Sequence, residues 1–317
     1  MTASEIATIR PAQESDTAAL AALWDDAFDG RLSPAQWLVD RKRFAHTMVA
    51  VDEAGMCGSI WGLPKRLRET GGAAALVHCI GSVAVAPRAR GRGLARRLLA
   101  ASMAASGDAD WALLFTGTPE VYSSSGFESF HMRRTLSGPW APGAIAGGPL
   151  DVVRSVVGAG AFDRVRHVYE GSRAGLTLAP VRDSVDWAMA EVRLAGSPIY
   201  TVRIGGQLLG YAVARTFRRD GAVQGSIEEA AVTPGEDGEH EVWHALLAAI
   251  AADWTAAGVT TCELTAPDAA ERSAQHQAIR VFAPGAEHTP DHTGMARALR
   301  REPRLEGIRH FTAADYF

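Results

Sequence analysis

The run Arg88-Ala89-Arg90-Gly91-Arg92-Gly93 is where residue types and spacing in this 317-residue chain point most directly to a chemistry. Gly91 and Gly93 let the backbone approach an anion with no Cβ in the way, while Arg88, Arg90 and Arg92 add positive potential around it. Val83-Ala84-Val85-Ala86-Pro87 before the run reads as the end of a strand. Leu94, Leu98, Leu99 and Met103 after it recur at helical spacing. Strand, glycine turn and helix bring successive N–H groups and a helix N-terminus together, the arrangement that holds a diphosphate. The glycine spacing matches neither the ATP-binding phosphate loop nor GxGxxG, so ATP and NAD are poor candidates. A solvated arginine turn and an RGG-like nucleic-acid tract also fit the arginines, although such tracts are repetitive and disordered.

The elements around the run follow from pattern. A short strand at Ile9 leads through Pro11 to a helix that Asp16 would cap, burying Ala19, Leu20 and Leu23. A second helix is expected around Pro34 to Arg43. Thr47-Val51 and Cys57-Gly62, separated by Asp52-Glu53-Ala54-Gly55, read as a hairpin, and Ala75-Val85 as the strand entering the glycine turn. Trp111-Thr116 is a further strand, and Thr118-Pro119-Glu120 opens a short helix carrying Tyr122.

Composition bounds the rest. At 47% hydrophobic and 21% charged residues the chain is an ordinary globular protein, long enough for two domains. A net charge of -4 gives no global basic field, which weighs against nucleic acid as a partner. Cys57, Cys79 and Cys262 show neither disulfide nor metal-ligand spacing, so no metal is expected and a reducing cytoplasm fits best. No signal-peptide layout or membrane-length apolar run is present.

Ser137-Gly148 is rich in glycine, proline and alanine without a period and reads as a linker, followed by a helical stretch to about His167. From Leu176 the grammar of the first half repeats: a strand and Pro180, a helix near Val185-Leu194, a hairpin at Gly205-Gly206 and a strand over Ser226-Val232. Laying Val85-Ala86-Pro87 on Val232-Thr233-Pro234 places Gly91 over Gly238, but Arg88, Arg92 and Gly93 over Gly235, Glu239 and His240. Glu236, Asp237 and Glu239 would repel a diphosphate there, so one cofactor per chain is expected. An unrelated strand-loop-helix at 226–252 predicts the same stoichiometry.

The turn resembles the acyl-CoA signature of the GNAT superfamily of N-acetyltransferases, Arg/Gln-x-x-Gly-x-Gly/Ala, which Arg88, Gly91 and Gly93 match. A second family element, Tyr-x-x-x-Gly-Phe, is matched by Tyr122-Ser123-Ser124-Ser125-Gly126-Phe127. The resemblance covers mainly residues 9–135. It extends to bacterial aminoglycoside acetyltransferases and to the enhanced-intracellular-survival type, which sets two GNAT-like folds before another domain; this chain is too short for that third domain. The resemblance implies that peptide groups of Val83 and Val85 hold the pantetheine arm and polarise the thioester, that the Arg88-Gly93 turn takes the diphosphate, and that Tyr122 protonates the departing thiolate. A phenol of pKa ~10 is a competent donor to such a thiolate. Tyr122 as a packing residue is the other reading.

The acceptor amine must lose a proton before it attacks. Many family members carry a glutamate on the strand entering the turn, on the face of Val83; uninterrupted alternation places Cys79 and Gly81 there, and neither is a base. His78 falls on the opposite face unless a bulge intervenes, so proton loss through ordered water is the default. Asp25, Asp26 and Asp29 lie where the family builds its acceptor wall and could attract a cationic amine, or could be a solvated helix end. The aromatic chain end could bring Phe317 to the acceptor, or serve the core. The expected architecture is α/β (α+β): a catalytic domain over 1–136, a linker over 137–175 and a degenerate second domain over 176–317. Each domain is a mixed, mostly antiparallel sheet flanked by helices. The expected activity is acetyl transfer from acetyl-CoA to a primary amine of a small molecule or peptide. A non-catalytic acyl-CoA-binding sensor or assembly subunit is the alternative.

Overall fold

The computed structural model describes residues 7–28, 39–132, 135–143, 150–235, 238–267, 273–289, 293–312 and 315. Strand β1 (Thr8–Pro11) leads into helix α1 (Thr17–Ala27), which buries Leu20, Leu23 and Trp24. The hairpin β2 (Thr47–Asp52) and β3 (Gly55–Arg68) follows, then β4 (Ala74–Val85), α2 (Leu94–Ala104) and β5 (Trp111–Thr116). Next come α3 (Glu120–Ser123), β6 (Glu128–Phe130), β7 (Thr135–Pro139) and β8 (Val152–Val156). The later part contains α4 (Arg166–Arg173), α5 (Ser184–Leu194), β9 (Pro198–Ile204), β10 (Gln207–Arg219), β11 (Ala222–Val232) and α6 (Glu239–Ala257). It ends with β12 (Thr261–Thr265), α7 (Ala274–Phe282), β13 (Glu287–His288) and β14 (Thr293–Ala298). Among the described residues, no helix is long and apolar enough to cross a membrane.

These strands form two seven-stranded mixed sheets flanked by helices, in the orders β1-β2-β3-β4-β5-β14-β6 and β13-β7-β12-β11-β10-β9-β8. Both centre on a long antiparallel pair followed by one parallel neighbour. Val77–Ile80 runs parallel to Trp111–Leu114 in the first sheet, as Gln224–Ile227 does to Thr261–Leu264 in the second. The repeat expected from the sequence is therefore one of sheet topology.

Sheet membership crosses the middle of the chain. β14 inserts between β5 and β6, pairing Thr293–Ala298 with Thr116–Trp111, while β7 pairs with β12 in the second sheet. The glycine- and proline-rich stretch read as a linker thus begins as a strand, and 144–149 lie outside the described residues. Val152–Val156, expected within a helical stretch, is an edge strand on β9, in keeping with its β-branched residues. The strand expected near Leu176 reduces to single bridges, Thr177 to Arg309 and Pro180 to Leu67. Most of the helix expected at Pro34 to Arg43 lies outside the described residues, and its end is a 3-10 turn at Arg41–Phe44.

α2 packs Leu94, Leu98 and Leu99 on one face of the first sheet with Ile60, Ile80, Ala112 and Leu114. The other face is covered by α1 toward β2 and by Phe311 and Leu178 toward β5. A buried charge cluster fastens this second face to the rest of the molecule. Arg182, whose side chain has no exposure, pairs with Glu229 of β11 and donates from Nε to Asp315 at 2.7 Å. It stacks on Tyr169 of α4 at 4.1 Å and Trp187 of α5 at 4.7 Å, while the Tyr211 hydroxyl donates to Glu229 at 2.6 Å. Burial alone would raise the Asp315 carboxyl, but Arg182 and Thr312 pull it net below the usual carboxylate range.

Removing one member leaves an uncompensated buried charge, so Arg182→Ala should lose about 3–5 kcal/mol of stability in urea unfolding. A depressed folded-state pKa contributes stability above the unfolded value of ~3.9, lost as pH falls through the folded one. The wild-type advantage over Arg182→Ala should accordingly be intact at pH 7 and shrink at the acid end. A variant as stable as wild type at pH 7 would remove the cluster from its anchoring role.

Candidate active site

β4 and β5 stop pairing after Ile80 and Leu114, although β4 runs on to Val85 and β5 to Thr116. A bulge accompanies the separation: the register of β4 against β3 shifts between Ser59 and Trp61, and Ser82 adopts φ 47°. Such a bulge bends the strand and sharpens its twist, and here it turns the end of β4 away from β5. Ala86 N–H donates to Cys57 O at 3.0 Å. Strand alternation then directs the peptide groups of Ala84 and Ala86 to β3, and those of Val83 and Val85 into the opening.

The bulge also resets the faces. Val83 and Val85 pack with Ile80 in the α2-side cluster, whereas Cys79 and Ala84 belong to the opposite side. The expectation that Cys79 and Gly81 share the face of Val83 assumed uninterrupted alternation and is corrected: His78 and Ile80 share it. His78 is nonetheless occupied structurally. It is 3% exposed, its Nε2 lies 2.9 Å from Ser102 Oγ on α2, and a Cβ at Gly62 would come within 2.1 Å of its ring. Burial, with the charge of His46, lowers its pKa to about 4, so it is neutral at physiological pH.

After Val85, a 3-10 turn over Pro87–Ala89 leads to Gly91 at φ 75° and Gly93 at φ 69°, and α2 begins at Leu94 without a side-chain cap. Both glycines take the left-handed region that L side chains disfavour, and a Cβ on either would meet nothing within 4 Å. Backbone conformation, not crowding, calls for glycine, and the space above the turn is open. The first N–H groups of α2 meet this space with the positive end of the helix dipole. An uncapped donor set beneath open space fits a diphosphate.

The arginines divide their work. Arg88 pairs with Asp52 and donates to the carbonyls of Gly55 and Met56 at 3.2 Å each, tying the turn to the β2–β3 hairpin. Arg90 Nε donates to Val85 O at 3.2 Å. Arg92 is exposed and has no hydrogen bond or ion pair among the described residues, which leaves it for a ligand. Tyr122 on α3 packs against the cluster containing Val83, Val85 and Leu94, and its ring meets Phe127 edge-on at 6.4 Å. Burial raises its pKa, keeping the phenol protonated at neutral pH.

Those of the expected acceptor residues that the structure describes are not gathered. Asp25 and Asp26 are exposed at the end of α1, and Asp29 and Phe317 lie outside the described residues. Cys79 is fully buried, and burial pushes its thiol far up. Sequence reasoning passed over a cavity of about 260 Å³ between the first sheet and α5, lined by Arg43, Lys65, Asp186, Met189, Arg193 and Asp315. These residues are scattered along the chain, and no motif joins them.

In the second sheet the corresponding opening is plugged. Thr233 N–H donates to Leu209 O at 2.8 Å, as Ala86 does to Cys57, so Ala230 stands where Val83 does. Arg173 Nη2 donates to the Ala230 carbonyl at 3.0 Å, and Gly235 N–H donates to Glu239 Oε2 at 3.2 Å. Glu236 and Asp237 lie outside the described residues.

Residues 8–130 match the family model for the acetyltransferase (GNAT) domain. A comparison with curated proteins found no match. Among solved structures, a GCN5-related N-acetyltransferase from Kribbella flavida superposes with a TM-score of 0.66 at 18% identity, covering 95% of this chain and 73% of that one. Eis1 from Mycobacterium abscessus gives 0.59 at 17%, covering 92% and 73%. The Saccharomyces cerevisiae N-myristoyltransferase with bound myristoyl-CoA gives 0.59 at 8%, covering 100% and 84%. At these identities the likeness is one of fold. The match to a GNAT acetyltransferase domain thus lies in the first part of the chain, and the two seven-stranded sheets have the architecture of two tandem GNAT-like domains.

Gly93→Asp separates binding from folding. Aspartate tolerates the left-handed region better than most residues and suits a helix N-terminus, but sets a negative charge where a diphosphate would lie. Calorimetric titration with CoA should give one site per wild-type chain and at least about 100-fold weaker binding in the variant, with thermal stability retained. Unaltered affinity, or two equivalent wild-type sites, would contradict this assignment.

Proposed function

We propose that the protein is an N-acyltransferase moving an acetyl group from acetyl-CoA directly to a primary amine of a small molecule or peptide. The observation that carries the reading is the opening past Ile80, with the peptide groups of Val83 and Val85 facing in and an uncapped glycine turn at its end. Bound acetyl-CoA supplies the acyl group as an activated thioester. Val83 and Val85 offer hydrogen bonds to the pantetheine arm and the thioester carbonyl. Gly91, Gly93 and the first N–H groups of α2, with Arg92, hold the diphosphate, while Arg88 and Arg90 fix the shape of the turn. Tyr122 passes its phenolic proton to the sulfur as the amine nitrogen bonds to the acyl carbon.

The acceptor proton leaves through water, because the β4 side chains offer no carboxylate and His78 is committed to Ser102. That same lack favours a second reading, an acyl-CoA-binding sensor without turnover. Thiol release from acetyl-CoA with a panel of amines separates the two, since a sensor releases none. The second unit, its opening plugged, acts as a wall and support for the first. A cytoplasmic setting suits a protein that uses CoA.

Tyr122→Phe should lower kcat by about 100-fold, the scale of a lost general acid, with acetyl-CoA affinity within about two-fold of wild type. Full kcat in this variant would return Tyr122 to packing.

A further inference from the structure

The cavity between the first sheet and α5 has a buried cation, Arg43, two of whose nitrogens lack a hydrogen-bond acceptor among the described residues. Arg43 is 2% exposed, and its Nε and Nη1 have no hydrogen-bond partner among the described residues. The Asp40 carboxylate oxygen stands off at 4.0 Å, beyond hydrogen-bond reach, and the guanidinium lies over the Trp61 ring at 4.4 Å. The other carboxylates of the wall are engaged. Asp186 pairs with Lys65, Asp183 accepts from Val185 N–H at 2.8 Å and Asp186 N–H at 2.9 Å, and Asp315 holds Arg182 and Thr312 at 2.7 Å each. A buried guanidinium left without hydrogen-bonded counter-charge is strongly unfavourable. Burial, and then the charge of Arg193, depresses Arg43 to about 10.

The wall also limits what could relieve this. Asp40, Asp183, Asp186 and Asp315 share the wall with Lys42, Arg43, Lys65 and Arg193, so its charges balance, and a phosphate dianion would upset that balance where a zwitterion would not. A single carboxylate matches a guanidinium fork, and an amine on the same molecule keeps the ligand's net charge at zero. The volume, about 260 Å³, lies just below the usual range for small-molecule pockets and suits an amino-acid-sized ligand. Leu63, Val185 and Met189 supply an apolar patch. Register ties the cavity to the transfer centre: Trp61, which carries Arg43, is paired with Gly81 immediately before bulged Ser82.

We propose that this cavity holds the acceptor, that Arg43 binds its carboxylate, and that the acceptor class is a free amino acid with an apolar side chain. The assignment rests on the N-acyltransferase reading for its chemistry: the α-amine nitrogen forms the amide bond, the carbon–sulfur bond breaks, and the amine proton goes to solvent.

The test uses the full chain, acetyl-CoA and matched pairs, leucine with leucinamide and methionine with methioninamide, followed by thiol release. The carboxamides have the less basic amines and so the larger neutral fraction, which makes preference for the acids run against intrinsic reactivity. Wild type should favour the acids by at least about ten-fold in kcat/KM, and in Arg43→Gln the ratio should fall to near one. Equal or better use of the amides by wild type would overturn the proposal and leave the transferase reading standing. So would acylation of other amines with neither member of a pair used. If no amine is acylated, the transferase reading fails, and calorimetric titration with leucine decides the site: binding to wild type that Arg43→Gln loses supports it, and no binding overturns it. Should Arg43→Gln fail to fold, the wild-type acid-to-amide ratio decides.

Discussion

The parting of β4 from β5 beyond Ile80 is the constraint on which the site depends. Four paired residues hold the two strands together, and the bulge at Ser82 then releases the end of β4. Without that release, the peptide groups of Val83 and Val85 would bond to β5 as in any parallel ladder. Glycine at 91 and 93 would have no open space to border, and the N-terminus of α2 would abut protein. The second sheet shows the same frame with the opening closed by Arg173 and Glu239. The comparison within one chain indicates that the frame serves folding, and that binding capacity comes from leaving the end of β4 free of pairing to β5.

The two units are held in register by more than a linker. The second sheet uses the consecutive strands β7 to β13, but the first is completed by β14, which follows all of them, so the first sheet is not built from one contiguous stretch. Arg182 joins α4, α5, β11 and the segment at Asp315 through one charged centre. α5 and Asp315 form one side of the cavity carrying Arg43, so this centre also fixes the distance across that cavity. Stability of the junction and shape of the acceptor space are one structural problem.

Local chemistry made much of this legible beforehand. Alternation and turn residues gave the β2–β3 hairpin and β5, and helical spacing gave α2, because each depends on nearby residues. Gly91 and Gly93 were readable for the same reason: a left-handed turn demands glycine wherever it occurs. What was not legible depended on partners distant in sequence. Pairing of β14 with β5 is set by topology, the phase of Val83 relative to Cys79 was changed by one bulged residue, and Arg88 turned to a carboxylate on the preceding hairpin. Arg43 gave no signal, since an isolated arginine near a helix end reads as solvated surface until the fold buries it.

The central claim is that acyl-CoA is held by the opened end of β4 and the turn before α2. Hydrogen–deuterium exchange of the intact chain, with and without saturating acetyl-CoA, tests it most directly. The expected result is new protection concentrated in peptides spanning residues 83–96, with little change over 230–242. Protection centred on 230–242, or none at 83–96 under conditions where binding is demonstrated calorimetrically, would contradict the account.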